Sequence, residues 1–227
     1  MPENYQPLKV RFHVEHSDTM IPLWMDRLAA ASIVPPAAAP EQWAGHIALI
    51  REWNKVSGLV SLGDADRLET LHLPDAVSLA PILHHYHADT GVLLDIGSGG
   101  GFPAIPLAIL FPEWSVTLVE RSQKKADFLR RVVSVLRLPG VTVLEGEFPG
   151  IAAGITADIL TARAVEQPVK VHKAMARWMT PGACFIGQTE PTGAFTETMF
   201  HVEPWRDDWD SAGLRRGSVW IARRRAE

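Results

Sequence analysis

A short apolar run that breaks off in glycine constrains this chain more than any other feature. The segment VLLDIGSGGGFP occupies Val92–Pro103, with glycine at four of the five positions that follow Ile96. Its apolar half has the make-up of a strand buried on both faces, and Pro103 suits the first turn of a helix. Glycine permits positive φ and lets a ligand approach the backbone closely, while a helix start offers unpaired N–H groups. Strand, glycine turn and helix in this order predict a nucleotide or nucleoside cradle at the carboxyl end of a strand in an α/β sheet.

The residues around the turn narrow the ligand. A dinucleotide fingerprint needs a third glycine three residues after the second, and counting from Gly97 and Gly99 reaches Phe102 instead. The Gly-Lys-Ser/Thr ending of a P-loop is missing too. Asp95 at the strand end would repel a phosphate and attract a cationic amino group, as in a ligand with an amino-acid moiety. The next strand, SVTLVE, ends at Glu120, whose carboxylate can accept both ribose hydroxyls of a nucleoside. A glycine loop, an acid before it and an acid on the neighbouring strand together suggest S-adenosylmethionine.

Apolar spacing predicts what surrounds this cradle. Helical intervals run over Met20–Ala31, Pro40–Val56 and Pro74–His87, the first two separated by the PPAAAP run Pro35–Pro40. After Gly91, strand-like runs at Val92–Ile96, Val116–Glu120, Val141–Leu144, Asp158–Thr161 and Ala183–Gly187 are interleaved with helical spacing at Pro103–Leu110, Gln123–Leu138 and Val169–Trp178. That alternation predicts an α/β fold with a mostly parallel sheet and helices on both faces. Thr196–Val202 and Ser218–Ala222 would add a hairpin at one edge. The expected division is 1–90 as an N-terminal extension and helical cap and 91–227 as the core, forming one compact unit.

Composition bounds the function classes. At 227 residues and 47% hydrophobic content the chain can bury one elaborated domain and is not disordered overall. Lys and Arg number 22 against 26 Asp and Glu, a formal charge of -4, so any RNA contact must be local. Candidate basic clusters are Arg121, Lys124, Lys125, Arg130 and Arg131, and then Arg215, Arg216 and Arg223–Arg225. The lone Cys184 excludes an internal disulfide or a multi-cysteine metal site, and His84, His85 and His87 read as a solvated helix end, so no metal is expected. The N-terminus lacks the apolar core of a secretory signal, and Ala104–Phe111 is far short of the roughly 20 residues of a membrane span. A soluble, cytoplasmic monomer without membrane association is the expectation.

At the level of motifs the chain resembles the small-subunit ribosomal RNA methyltransferase G family, also called glucose-inhibited division protein B. The matching stretches are WNK at Trp53–Lys55, LHLPD at Leu71–Asp75, LDIGSGGGFPAIPLA at Leu94–Ala108, ERSQKKADFLR at Glu120–Arg130 and ARAV at Ala162–Val165. The resemblance extends over roughly Trp24–Gly187 and implies a class I S-adenosylmethionine-dependent methyltransferase fold, Rossmann-like, beneath a helical cap. It implies methyl transfer to N7 of a guanine in the 530 loop of 16S ribosomal RNA, in the small ribosomal subunit or its precursor. It places Gly97, Ser98, Gly99, Gly101 and Phe102 around the cofactor, with Asp95 at the methionine end, Glu120 on the ribose and Glu147 in the same set. Arg163 would lie beside the substrate cleft, within reach of the cofactor. The chain departs from the family's pattern at Gly58–Val60, at Ala76, at Glu145–Pro149 and at Gln188, where the family carries a lysine. These departures fall largely on the substrate side.

Guanine N7 carries no proton at neutral pH, so its attack on a sulfonium methyl needs no general base, and none is expected here. Arg163 would instead position the substrate through a phosphate or the guanine O6 edge. His72 and Asp75, three apart, can share a helix face and either orient the cap or meet RNA. Trp24, Trp43 and Trp53 are expected to line the contact between cap and sheet. Two alternatives stay open on sequence alone: a methyltransferase acting on another RNA or a small molecule, and a noncatalytic nucleoside-binding module of ribosome assembly.

Overall fold

The computed structural model describes residues 21–61, 63–87, 90–163, 167–188, 191–215 and 217–225. The extension before residue 21, the end of the ARAV motif and Arg216 lie outside the described residues. Seven strands form one sheet: β1 (Val92–Ile96), β2 (Ser115–Glu120), β3 (Val141–Glu145), β4 (Ile159–Thr161), β5 (Cys184–Gly187), β6 (Phe200–Trp205) and β7 (Val219–Arg224). Their order is β3-β2-β1-β4-β5-β7-β6. The first five are mutually parallel, whereas β7 runs antiparallel to β5 and pairs with β6 as the expected edge hairpin. Successive crossovers step outward from β1 to β3 and then return to place β4 on the other side of β1. That reversal opens a crevice at the carboxyl ends of β1 and β4, where open α/β sheets bind ligands.

Alternate residues of each central strand serve opposite faces, as the pleat requires. Leu93, Val116, Leu118 and Ile159 join one buried cluster, and Leu94, Ile96, Val119 and Leu160 join the other. The first cluster takes in α5 (Ala104–Leu110) and α6 (Gln123–Leu136), and the second takes in α7 (Pro168–Trp178) through Met175 and Ala176. The cap helices α1 (Ile21–Ala30) and α2 (Ala39–Ser57) close over the first face. Trp24 meets Trp43 edge-on at 5.0 Å, the Trp43 indole N–H donates to the Pro106 carbonyl at 3.2 Å, and Trp53 packs on Phe128 at 5.8 Å. The tryptophans therefore join cap to sheet, and their apolar cluster is continuous with that of β1 and β2.

The helix expected over Pro74–His87 is two short helices, α3 (Leu73–Val77) and α4 (Ala80–Tyr86). Pro81 lacks an N–H and its ring would collide with the carbonyl four residues back, so a continuous helix cannot pass through Val77. A single π-helical turn, Leu68–His72, leads into α3 and presents His72 and Asp75 at its inner end, both buried. A further helix, α8 (Asp208–Ser211), escaped the periodicity argument because it is one turn long and held by its cap: the Asp207 carboxylate accepts the Trp209 N–H at 3.1 Å. No helix among the described residues is long and apolar enough to cross a membrane.

Candidate active site

The glycine turn is built by the two strands beneath it. The N–H groups of Gly97 and Ser98 both donate to the Val119 carbonyl on β2, at 2.8 and 3.2 Å, which folds the chain back over the sheet edge. Gly97, Gly99 and Gly101 take φ of +74°, +52° and +88°, values that side chains disfavour. At Gly101 a Cβ would also stand 2.7 Å from Ile105 and 3.1 Å from His46. Glu120 clamps the turn from the neighbouring strand, one oxygen accepting the Gly99 N–H at 2.9 Å and the other the Ser122 N–H at 2.8 Å. Each carboxylate oxygen has a second lone pair, so ribose hydroxyls would add to these bonds rather than replace them.

The cap clamps the same loop from above. The ring of His46, on α2, approaches the Gly100 carbonyl with Nε2 at 2.8 Å, an arrangement that requires the proton on that nitrogen. Burial pulls the His46 pKa down to about 4, so the ring is neutral at physiological pH. It also packs against Phe102 at 4.9 Å.

Asp95 lies beneath the turn, 1% exposed. Its Oδ1 accepts the Thr161 hydroxyl at 2.6 Å, while Oδ2 has no hydrogen-bond partner among the described residues. Burial pushes its pKa up to about 6 against the opposing pull of the Thr161 and Ser98 hydroxyls and the Arg163 charge. A buried carboxylate oxygen without a donor is a costly arrangement, and it is one that a ligand's cationic amino group or a bridging water would relieve.

Arg163, in the loop after β4, is the centre of a second group. Its Nη1 donates to Asp75 Oδ2 at 2.9 Å, its Nη2 lies against His72 Nδ1, and its guanidinium stands over the Phe102 ring, 5.7 Å from the centroid. Gln188, at the end of β5, donates to the same Asp75 oxygen at 3.3 Å, and Asp64 lies 3.6 Å from His72. His72 and Asp75, expected on one helix face to orient the cap or meet RNA, both meet Arg163 instead. Phe102 touches His46, His72 and Arg163, and so ties this group to the glycine turn.

One cavity of about 480 Å³ joins the two groups, within the range of small-ligand sites. Gly97, Ser98, Gly99, Phe102, Glu120, Glu147 and Arg163 all line it. Asp95 and Gly101 do not: Asp95 sits below the turn and Gly101 behind it, against Ile105 and His46. Glu147 is a rim residue, exposed and within 3.4 Å of Lys170. Sequence reasoning missed His46 as a support of the loop and Asp75 as the anchor of Arg163. Charged or imidazole side chains on otherwise apolar helix faces were the available signal for both.

The basic clusters divide differently from the expectation. Arg121 and Lys125 line the cavity, but Arg130 is engaged by Asp127 and Glu145 at 2.7 and 3.0 Å. Arg215 is buried, bonded to Asp207, Asp210 and the Ser78 carbonyl, and Arg224 and Arg225 donate to backbone carbonyls of Ala176 and Glu197. The described part of the C-terminal cluster that makes these bonds fastens α8 and β7 to the core.

The family model GidB, rRNA small subunit methyltransferase G, matches residues 40–187, more than half of the chain. Among curated proteins named ribosomal RNA small subunit methyltransferase G, that of Methylobacillus flagellatus is 36% identical over 132 residues, covering 58% of this chain and 62% of the relative. That of Xanthomonas axonopodis pv. citri is 34% identical over 159 residues, covering 70% and 72%. The match spans 62%, 53% and 45% of the length of three such relatives. Among solved structures, a variant of MtNAS superposes with a TM-score of 0.57 at 16% identity, covering 90% of this chain and 78% of that one. A putative O-methyltransferase from Klebsiella pneumoniae gives 0.56 at 17%, covering 89% and 97%. At such identities the superpositions establish the α/β Rossmann-like fold and nothing further. The stretch that the family model matches contains the glycine turn, the Glu120 clamp and Arg163 with its partners His72 and Asp75, and the chain belongs to the GidB family, rRNA small subunit methyltransferase G.

Proposed function

We propose that this protein transfers a methyl group from S-adenosylmethionine to N7 of a guanine in the 530 loop of 16S ribosomal RNA. The observation that carries the reading is the joining, in one cavity, of a glycine turn clamped by the Glu120 carboxylate to an arginine held in place by a buried aspartate. The cofactor, when bound, supplies an electrophilic methyl on a sulfonium sulfur. The residues present fit such a ligand: Glu120 has lone pairs to spare for the ribose, the turn exposes backbone beside it, and the buried Asp95 carboxylate beneath the turn suits the methionine amino group through a bridging water. A solved MtNAS variant in complex with S-adenosylmethionine has the same fold, at a TM-score of 0.56.

The chain's own part in the reaction is alignment. The N7 lone pair forms the new N–C bond as the S–C bond breaks, so positive charge moves from sulfur to the purine and no proton is transferred. Arg163 donates to the guanine O6 edge or to a flanking phosphate and fixes the base in line. Asp75 offsets the guanidinium charge, so that the purine becomes cationic beside a neutralised pair rather than a bare cation.

The test is to incubate the protein with radiolabelled S-adenosylmethionine and small subunits from a strain lacking its own copy of this activity, then to map product by N7-sensitive strand cleavage. Cleavage in the 530 loop is expected. Cleavage elsewhere would replace the target while keeping the chemistry, and cofactor binding without label transfer would overturn the RNA reading.

A further inference from the structure

Beside the cleft runs a groove along the outer face of α7. It shares Pro149, Gln167, Lys170 and Ala174 with the cleft, so the two are continuous. Lys170, Lys173 and Arg177 line it at helical spacing, all three exposed, while His172, Met175 and Ala176 on the opposite face are buried against the sheet. Among the described residues, no carboxylate lines the groove. In a chain of net charge -4 this is a local excess of three cations on one stripe about 10 Å long, at 1.5 Å of rise per residue. Among the described residues Lys170 pairs with Glu147 at 3.4 Å, and that pair is exposed enough to exchange readily for another anion. The groove's far end is formed by Trp178, whose indole meets Phe148 edge-on at 5.6 Å, and Phe148 itself lines the cleft.

We propose that this groove is the docking surface for the RNA strand, in which the phosphodiester backbone of a single-stranded segment lies along Lys170, Lys173 and Arg177 and directs a base into the cleft. The inference rests on the methyltransferase reading and adds to it the surface that receives the substrate. A continuous cationic track leading into a cavity sized for a nucleoside matches a polyanion whose base must leave the strand to react. It also gives an acidic protein a local route to RNA: cations on one helix face stand next to the chemistry, beside Arg121 and Lys125 in the cleft itself.

The experiment compares the wild-type protein with the double variant Lys173→Gln, Arg177→Gln, which keeps helix-compatible side chains and alters no residue of the cofactor cleft. A control of equal charge change is Arg51→Gln, Lys55→Gln on α2, where neither residue lines cleft or groove. Affinity for protein-free small-subunit ribosomal RNA is measured across a salt series, with S-adenosylmethionine affinity measured by calorimetry. Loss of two phosphate contacts should weaken RNA binding by about tenfold or more near 0.1 M salt and reduce the slope of log K against log salt by about 1.4 to 1.8. Cofactor affinity and the control should stay at wild-type values. Unchanged RNA affinity and slope in a protein that methylates RNA would overturn the docking surface alone. An equal loss in the control would assign the effect to net charge and overturn it as well. If the wild-type protein neither binds nor methylates this RNA or small subunits, the methyltransferase reading falls and the docking surface with it.

Discussion

Asp75 stands 88 positions before Arg163 and 113 before Gln188 in the chain, yet one of its oxygens accepts hydrogen bonds from both. Its side chain is 3% exposed against 15% for Arg163, so the bond is shielded on the carboxylate side and the guanidinium faces the cleft. Asp75 is in this sense a positioning residue, and Arg163 is the group that meets substrate. Replacing Arg163 with Ala should lower methyl transfer to RNA by about 10²-fold while cofactor affinity changes little. The Asp75→Asn variant keeps a polar group of the same size but loses the charge that orders Arg163. Its kcat should fall while the KM for S-adenosylmethionine stays close to wild type, and its stability should drop by about 1–3 kcal/mol in urea unfolding. Unaltered kcat in that variant would show that Arg163 needs no anchor. That His72 and Asp75 share a face was legible from their spacing, but Arg163 as the object of both was not, since nothing local relates it to them.

At the scale of elements, the glycine turn separates two demands that sequence alone merges. Gly101 lies behind the loop with a φ of +88° and no room for a Cβ, so Gly101→Ala should destabilise the fold by about 1–3 kcal/mol and lower the thermal midpoint. Gly99 has a φ of +52°, which asparagine tolerates, and the nearest atom to a Cβ there is 3.7 Å away. Gly99→Asn should therefore fold with near wild-type stability and lose cofactor affinity in calorimetry, because Gly99 lines the cleft. Normal affinity in that variant would reject the cradle. The C-terminal elements depend on a different kind of contact. The Arg215 guanidinium bonds Asp207, Asp210 and Ser78 and fastens α8 to the end of α3, so Arg215→Ala should cost about 2–3 kcal/mol by chemical denaturation. Arg215→Lys should recover only part, since an ammonium cannot reproduce the fork of bonds.

For the whole molecule, two buried titrating groups set opposite responses to pH. His46, with its pKa drawn down to about 4, contributes stability that is complete above its unfolded value near 6.5 and is lost as pH falls through 4. Asp95, raised to about 6, contributes stability that is complete below its unfolded value near 3.9 and is lost as pH rises through 6. Each is on the order of 3 kcal/mol by the free energy of a pKa shift, and between pH 4 and 6.5 the two changes oppose one another. Variants should expose them in urea unfolding of the cofactor-free protein. Asp95→Asn should lose stability steeply on acidification from pH 7 to 4, whereas His46→Gln should hold or gain it. Parallel pH profiles for both variants and the wild type would contradict this account. The same Asp95 shift predicts proton release when cofactor binds near pH 6, read as a dependence of the calorimetric heat on buffer ionisation, because a cationic neighbour favours the carboxylate. What the sequence determined by itself was local: the strand and helix periods, the glycine turn between β1 and α5, the acid at the end of β2, and the break in periodicity at Gly91. These are legible because backbone preference and alternation of buried side chains act over a few neighbouring residues. What only the tertiary structure decided was which distant side chains meet. The strand order β3-β2-β1-β4-β5-β7-β6 brings the loop after β4, the end of β5 and the inner end of α3 to one edge of the sheet, and packs α7 beside the cleft. The Asp75–Arg163 pair, the His46 clamp, the burial of Arg215 and the cationic groove follow from that arrangement, because pairing across the fold depends on how the sheet is wound and not on spacing along the chain.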